Sequence, residues 1–286
     1  MADVSIAAPH RSLSSRLPRL PIAVWVALIW VGGIIAVAIL ADLIAPYGYT
    51  ALDLKHRLSL PGEPAHWLGT DELGRDVLSR LITSIRISVI IALGATLISA
   101  TLGTTLGFLA AHFRGIVEQI VLMLADFQAS MPFLIMALAV LAFFGNSLPL
   151  LVCLMGLYGW ERYARIARGL AVAAGSQGYA GAVRQLGASP RRVYLRHILP
   201  NIASTLIVSA TLVFPEVILM ESGLSFLGLG VQPPMTSLGN MVGYGREYIT
   251  RAPWIMLSPA LTIVFTTLAV SVLGDWLRDR LDPTLR

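Results

Sequence analysis

Six apolar stretches divide this chain, at 22–44, 85–111, 117–144, 148–158, 202–229 and 255–277. All but the fourth reach the ~20 residues that an α-helix needs to cross about 30 Å of hydrocarbon. The fourth is short and has to borrow from its flanks or lie tilted. The pattern predicts an all-α integral membrane protein with six transmembrane helices. Arg11, Arg16 and Arg19 ahead of the first stretch resemble the start of a signal peptide. The apolar run up to Asp42 is nevertheless longer than the usual ~7–15 residues of a cleaved segment, so an uncleaved helix is expected.

Charge sets the expected orientation. With the N-terminus inside, the inner segments hold fourteen Lys and Arg residues and the outer ones six, with Arg86 left in a helix. That bias places both termini in the cytoplasm. Residues 1–20 then form a cytoplasmic tail, 21–44 the first helix and 45–84 an external loop. Residues 85–277 form a five-helix core that includes a cytoplasmic loop at 159–201 and an external loop at 230–254. Residues 278–286 form a cytoplasmic tail. Both external loops are rich in Pro and Gly, as in "LPGEPAHWLGTDELGRD" and "GVQPPMTSLGN".

Composition agrees. The 286 residues are 56% hydrophobic and 13% charged, whereas a soluble domain is about a quarter charged. The net charge of +5 comes from basic residues lying between apolar stretches. It reads as membrane topology and association with lipid, not as nucleic-acid binding. The single cysteine, Cys153, lies in an apolar stretch and is expected to be a buried, inert thiol.

The polar segment 178–201, "GYAGAVRQLGASPRRVYLRHILPN", stands apart from its greasy surroundings. Tyr179, Ala182, Val183 and Leu186 fall at i, i+3, i+4 and i+7, one face of a helix. Gly187 reads as a stop, Ser189 as an N-cap and Pro190 as the first residue of a second helix. Tyr194, Leu195, Ile198 and Leu199 then make an apolar side, with Arg192 and Arg196 stacked on the other. Two short helices with a tight break suit docking into a partner protein. A basic amphipathic surface on anionic lipid is the alternative.

The same segment resembles the cytoplasmic loop of binding-protein-dependent ABC importer permeases, in which an E-A-A triplet precedes a glycine and an I-L-P-like ending. Ala182 and Val183 take the two alanine positions, Gly187 the glycine, and Ile198, Leu199 and Pro200 the ending. Gly181 stands where the family has Glu. Three further motifs, "HWLGTDELGRDVLSRLI" (66–82), "SGLSFLGLGVQPPMTSLGNM" (222–241) and "LGDWLRDRLDPTLR" (273–286), are similar to the C-type subunit of dipeptide/oligopeptide permeases. The resemblance runs in register from about residue 21 to the end.

The resemblance implies a type I ABC importer permease fold. The chain would form half of a translocation pathway for dipeptides, oligopeptides or similar small solutes. The implied partners are a homologous B-type permease, two ATPase subunits that bind ATP and Mg, and an external substrate-binding protein. The 178–200 loop would seat in the ATPase, with Tyr179, Leu186, Leu195 and Ile198 as anchors and Arg184, Arg191 and Arg192 at the rim. Ala182, Val183, Gly187, Ala188, Ser189 and Pro190 complete the docking element. No G-x-x-x-x-G-K-[ST] phosphate loop is present, so no cofactor is expected in this chain and it is not expected to be an enzyme. A self-sufficient secondary transporter is the alternative function; no internal repeat supports it.

Other candidates are weaker. Asp126, Glu216 and Glu221 lie within spans, where charge is costly and usually faces protein or water; they are candidate pore or permease–permease contacts. Gly103 and Gly107 form G-x-x-x-G, a possible close helix contact. Pro132 and Pro215 mark kinks. The acids and arginines of residues 70–80 read either as a solvated helix with internal ion pairs, or as a contact with the binding protein or a seal over the pore. His10, His56, His66, His112 and His197 show no ligand spacing, so no metal site is expected.

Overall fold

A computed structural model of the protein describes residues 20–175 and 186–281. Every regular element among them is helical. Helix α1 spans Ile22–Ile44. The side chain of Arg86 closes its C-terminus: Nε donates to Ala38 O at 2.8 Å, while the guanidinium also holds Asp42. An arginine beside the last turns of a helix also sits favourably at the negative end of its dipole.

Helix α2, Val77–Phe113, has 37 residues and is about 55 Å long at 1.5 Å per residue. It starts well before the predicted residue 85. The Asp76 carboxylate caps it, accepting from Ser79 N at 2.7 Å and Ser79 Oγ at 2.6 Å. A short polar cap followed by "VLSRLI" starts the helix inside what hydropathy alone reads as loop.

The third predicted span is two helices, α3 (Gly115–Ser130) and α4 (Phe133–Phe144), bent by 92°. Pro132 lies at the break, and Met131 before it is extended. Proline lacks an N–H and disfavours helical geometry at the preceding residue. Pro215, by contrast, stays within a continuous helix.

The fourth predicted span is the nine-residue helix α5, Leu148–Gly156. It rises only about 14 Å, too little to cross a bilayer by itself. After Gly159, whose φ of +85° favours glycine, the chain continues as α6, Trp160–Gly175. That helix lies in the segment expected to be loop. Its small buried face (Trp160, Tyr163, Ala164, Ala167, Ala171, Ala174) packs along α2. A Cβ at Gly103 or Gly107 would collide with the Trp160 or Ala164 carbonyl, so the G-x-x-x-G pair serves close approach of α2 to α6. Ser99 Oγ lies 2.8 Å from Gly156 O and 2.6 Å from Tyr158 O, covering carbonyls freed at the break. Cys153 is exposed on α5 and not buried as expected.

Helix α7, Pro190–Phe226, contains a wider π-turn at Val193–Ile198. A short helix α8 covers Leu238–Gly245, and α9 covers Trp254–Leu281. Four helices (α1, α2, α7 and α9) are long and apolar enough to cross a membrane, and α3 with α4 make a fifth, broken span. Large apolar side chains on α1, α2 and α9 are exposed, among them Ile29, Ile39, Leu97 and Leu268, as lipid-facing helices require. Trp30 Nε1 donates to Thr266 Oγ1 at 3.1 Å, tying α1 to α9.

At one end of the bundle, residues 45–76 and the segment around α8 form a cap. Asp71 accepts from Arg75 Nε at 2.6 Å, Arg80 at 2.9 Å and two backbone N–H groups. Trp254 Nε1 donates to Thr70 O at 3.2 Å, joining the cap to α9. Residues 70–76 are buried turns, not the solvated helix weighed above, although the ion pairs are present. Gly74 has φ of +72° and its Cβ position falls on the Asp53 carbonyl, so two strands of chain cross here without room for a side chain.

Candidate functional site

The opposite end of the bundle is basic and open. Gly187 adopts a φ of +82°, a turn that glycine makes without strain. Ser189 Oγ then accepts from Arg192 N, and Pro190 opens the helix. The cap and first helical residue thus lie where the sequence puts them, while the helix that Gly187 was expected to stop lies outside the described residues.

Leu186 is 87% exposed and Leu195 is half exposed, with Arg191, Arg192 and Arg196 exposed around them. Ile198 is 0% exposed and packs with Val193, Tyr194, Ala111 and Ala171. It supports the segment from within and is not an outward anchor. The π-turn is the reason: with five residues to the repeat, Val193 and Ile198 share the inner face, whereas the 3.6-residue period groups Ile198 with Leu195. Phe108 and His112 of α2 pack on the Tyr194 ring at 5.2 Å and 5.6 Å between centroids, so the segment is fixed to the long helix. Tyr179, Ala182, Val183 and Arg184, with Gly181, lie outside the described residues.

The membrane acids are paired. Arg162, Arg165 and Arg168 recur every three residues on α6. Arg162 meets Glu216 at 3.1 Å, Arg165 meets Asp126 at 2.8 Å, and Arg168 Nε meets Glu118 at 2.6 Å. Asp126 remains 72% exposed. This row was missed because the charges of 160–175 mask its alanine-rich face. Glu221 is different: it is 1% exposed, and Ser225 Oγ and Ser237 Oγ each donate to its Oε1 at 2.7 Å. It lies inside its own chain at the junction of α7 and α8. Ser88 Oγ receives Leu238 N nearby at 3.0 Å, so the start of α8 is held by α2 as well.

The cap also assembles a cluster that linear spacing hides. Asp53, His56 and His66 each offer a ligand atom, all within 4.8 Å of one another. The hydrogen bond from His56 holds the Asp53 carboxyl below its usual range. His56 and His66 are ten residues apart in sequence, and the folding of this connection, including the hydrogen bond from Thr70 Oγ1 to His56 O, closes the distance.

Comparison with known proteins identifies the architecture. Residues 103–286 match the family described as binding-protein-dependent transport system inner membrane component. The chain is similar to the glutathione transport system permease GsiD of Pectobacterium atrosepticum, with 35% identity over 99% of this chain and 94% of that one. It is also similar to the di/tripeptide transport system permease DppC of Pseudomonas aeruginosa, with 38% identity over 88% and 85%. The fold resembles a chain of the MetNI methionine ABC transporter in an inward-facing conformation, with a TM-score of 0.56 and 18% identity over 72% of this chain and 97% of that one. The chain belongs to the family of binding-protein-dependent transport system inner membrane components: it is an inner-membrane permease subunit of an ABC importer, not an enzyme, and hydrolysis of ATP falls to its partner ATPases.

Proposed function

We propose that the chain forms half of the pathway of an importer for short peptides or peptide-like solutes, with a B-type permease supplying the other half. The names of its relatives, which carry glutathione, di- and tripeptides or oligopeptides, support that substrate class. The basic end faces the cytoplasm and the capped end faces outward, towards the binding protein. Orientation follows from the excess of Lys and Arg in the segments of the basic end. ATP and Mg act in the two ATPase subunits.

Coupling runs through residues 178–200. The observation that carries this reading is Leu186, an exposed leucine at a left-handed glycine turn that is followed by the exposed Arg191, Arg192 and Arg196. A leucine left in water forgoes the ~1.5–3 kcal/mol that full burial of such a side chain brings; an ATPase groove would recover it. The helix behind the turn is continuous from Pro190 to Phe226. Movement of a docked partner is therefore transmitted along α7 towards the Glu221–Ser237 junction with the cap. In this reading Asp126 and Glu216, paired with Arg165 and Arg162, face the pathway or the second permease; their partial exposure supports it.

The test is Gly187→Trp in the assembled transporter. Open space surrounds Gly187, but its φ of +82° strains any side chain there, at a cost of about 1–2 kcal/mol, so expression and insertion of the variant are checked first; the bulky residue on the docking turn then blocks the ATPase. ATP-driven uptake into vesicles is expected to vanish. Normal uptake by a well-expressed variant would falsify the docking assignment.

A further inference from the structure

The cap holds a group of side chains that transport through the bundle does not use. Asp53, His56 and His66 converge from two arms of the connection between α1 and α2. His66 is buried, and its Nδ1 lies 3.0 Å from Asp76 Oδ1. Facing a carboxylate, Nδ1 keeps its proton and Nε2 keeps the lone pair. Asp76 is itself fixed by Ser79 N and Ser79 Oγ at the start of α2. A histidine oriented by a carboxylate that is oriented in turn is the outer-shell arrangement found around metal-ligating imidazoles. The Nδ1 of His56 faces Asp53 Oδ2 at 2.7 Å; a cation held by both takes the place of the proton that they share, with Nδ1 and the carboxylate as neighbouring ligands.

We propose that Asp53, His56 and His66 bind one borderline divalent cation of the Zn2+ type. Two imidazoles and one carboxylate select such an ion over Mg2+ or Ca2+, which take all-oxygen sites. Three protein ligands leave a fourth position, and the half-exposed side chains of Asp53 and His56 open it to solvent. The ion clips the loop after α1 to the first turn of α2, because His66 reaches that turn through Asp76. It restrains the exposed segment around Lys55 from the side opposite the Arg57 contact to Glu72 O.

The experiment uses the importer purified with its partner subunits through a tag without histidine, stripped with chelator and titrated with Zn2+ alone. The wild type is expected to take up one more equivalent than the Asp53→Asn, His56→Ala double variant. That equivalent slows tryptic cleavage after Lys55. Each single substitution removes a ligand and is expected to weaken binding by more than the roughly 10–100-fold known for loss of an outer-shell partner. Both positions are partly exposed, so neither variant threatens folding. Asp76→Asn, which leaves all three ligands in place, should weaken binding as well and reports on orientation of His66. Zn2+ uptake that survives the double substitution, or no uptake by the wild type at micromolar Zn2+, overturns the proposal.

Discussion

The two ends of the bundle treat charge in opposite ways. At the capped end, Asp71 and Arg80 are buried, Arg75 is partly buried, and they pair with one another within the chain. At the basic end, Arg191, Arg192 and Arg196 stand exposed beside Leu186 and Leu195, and only the inner face of that segment is packed. A closed network stabilises and orients the chain that owns it. An open one with apolar residues at its centre is built for another surface. The same composition of arginine and leucine therefore does different work, decided by whether the partners come from the same chain.

This difference is testable end by end. The largest effect on function is expected from Gly187→Trp, which should abolish uptake while costing the detergent-solubilised complex no more than the about 1–2 kcal/mol of a side chain at a left-handed φ. Asp71→Ala should give the largest effect on stability. It strands the buried Arg80 and leaves Arg75 with Glu72 alone, a loss of about 3–5 kcal/mol for a broken buried pair, read as a marked fall in melting temperature. Gly107→Leu should come next. The side chain cannot fit against the Ala164 carbonyl, and overpacking of this kind costs about 1–3 kcal/mol; the same melting assay reads it. Leu186→Glu should weaken co-purification of the ATPase without moving the melting temperature. The smallest effect is expected from Arg165→Gln. Its pair with Asp126 is partly exposed, and such pairs contribute about 0.2–1 kcal/mol. A large loss of stability in that variant would show that the row on α6 is enclosed in the complex. If Asp71→Ala disturbed coupling more than folding, the division between the two ends would fail.

Much of this was readable along the chain. Runs of twenty apolar residues name membrane helices because length and hydropathy are properties of a single segment. The Ser189 and Pro190 signals hold because caps and turns are decided by neighbours in sequence. The G-x-x-x-G pair was visible for the same reason, though its partner was not.

What escaped the sequence depends on segments meeting. Helix α6 was hidden since its arginines look soluble until Glu216, Asp126 and Glu118 from other helices are set beside them. Ile198 changed face because a π-turn, stabilised by packing against α2, replaced the expected period. Glu221 passed from possible pore residue to buried anchor once Ser237 folded back over it. Asp53, His56 and His66 became a cluster only through the turns that join them. Local preference and hydropathy act within about one helix length and so can be read from order alone. Charge pairing, burial and ligand geometry fall off over a few ångströms in space, and only the folded chain sets those distances.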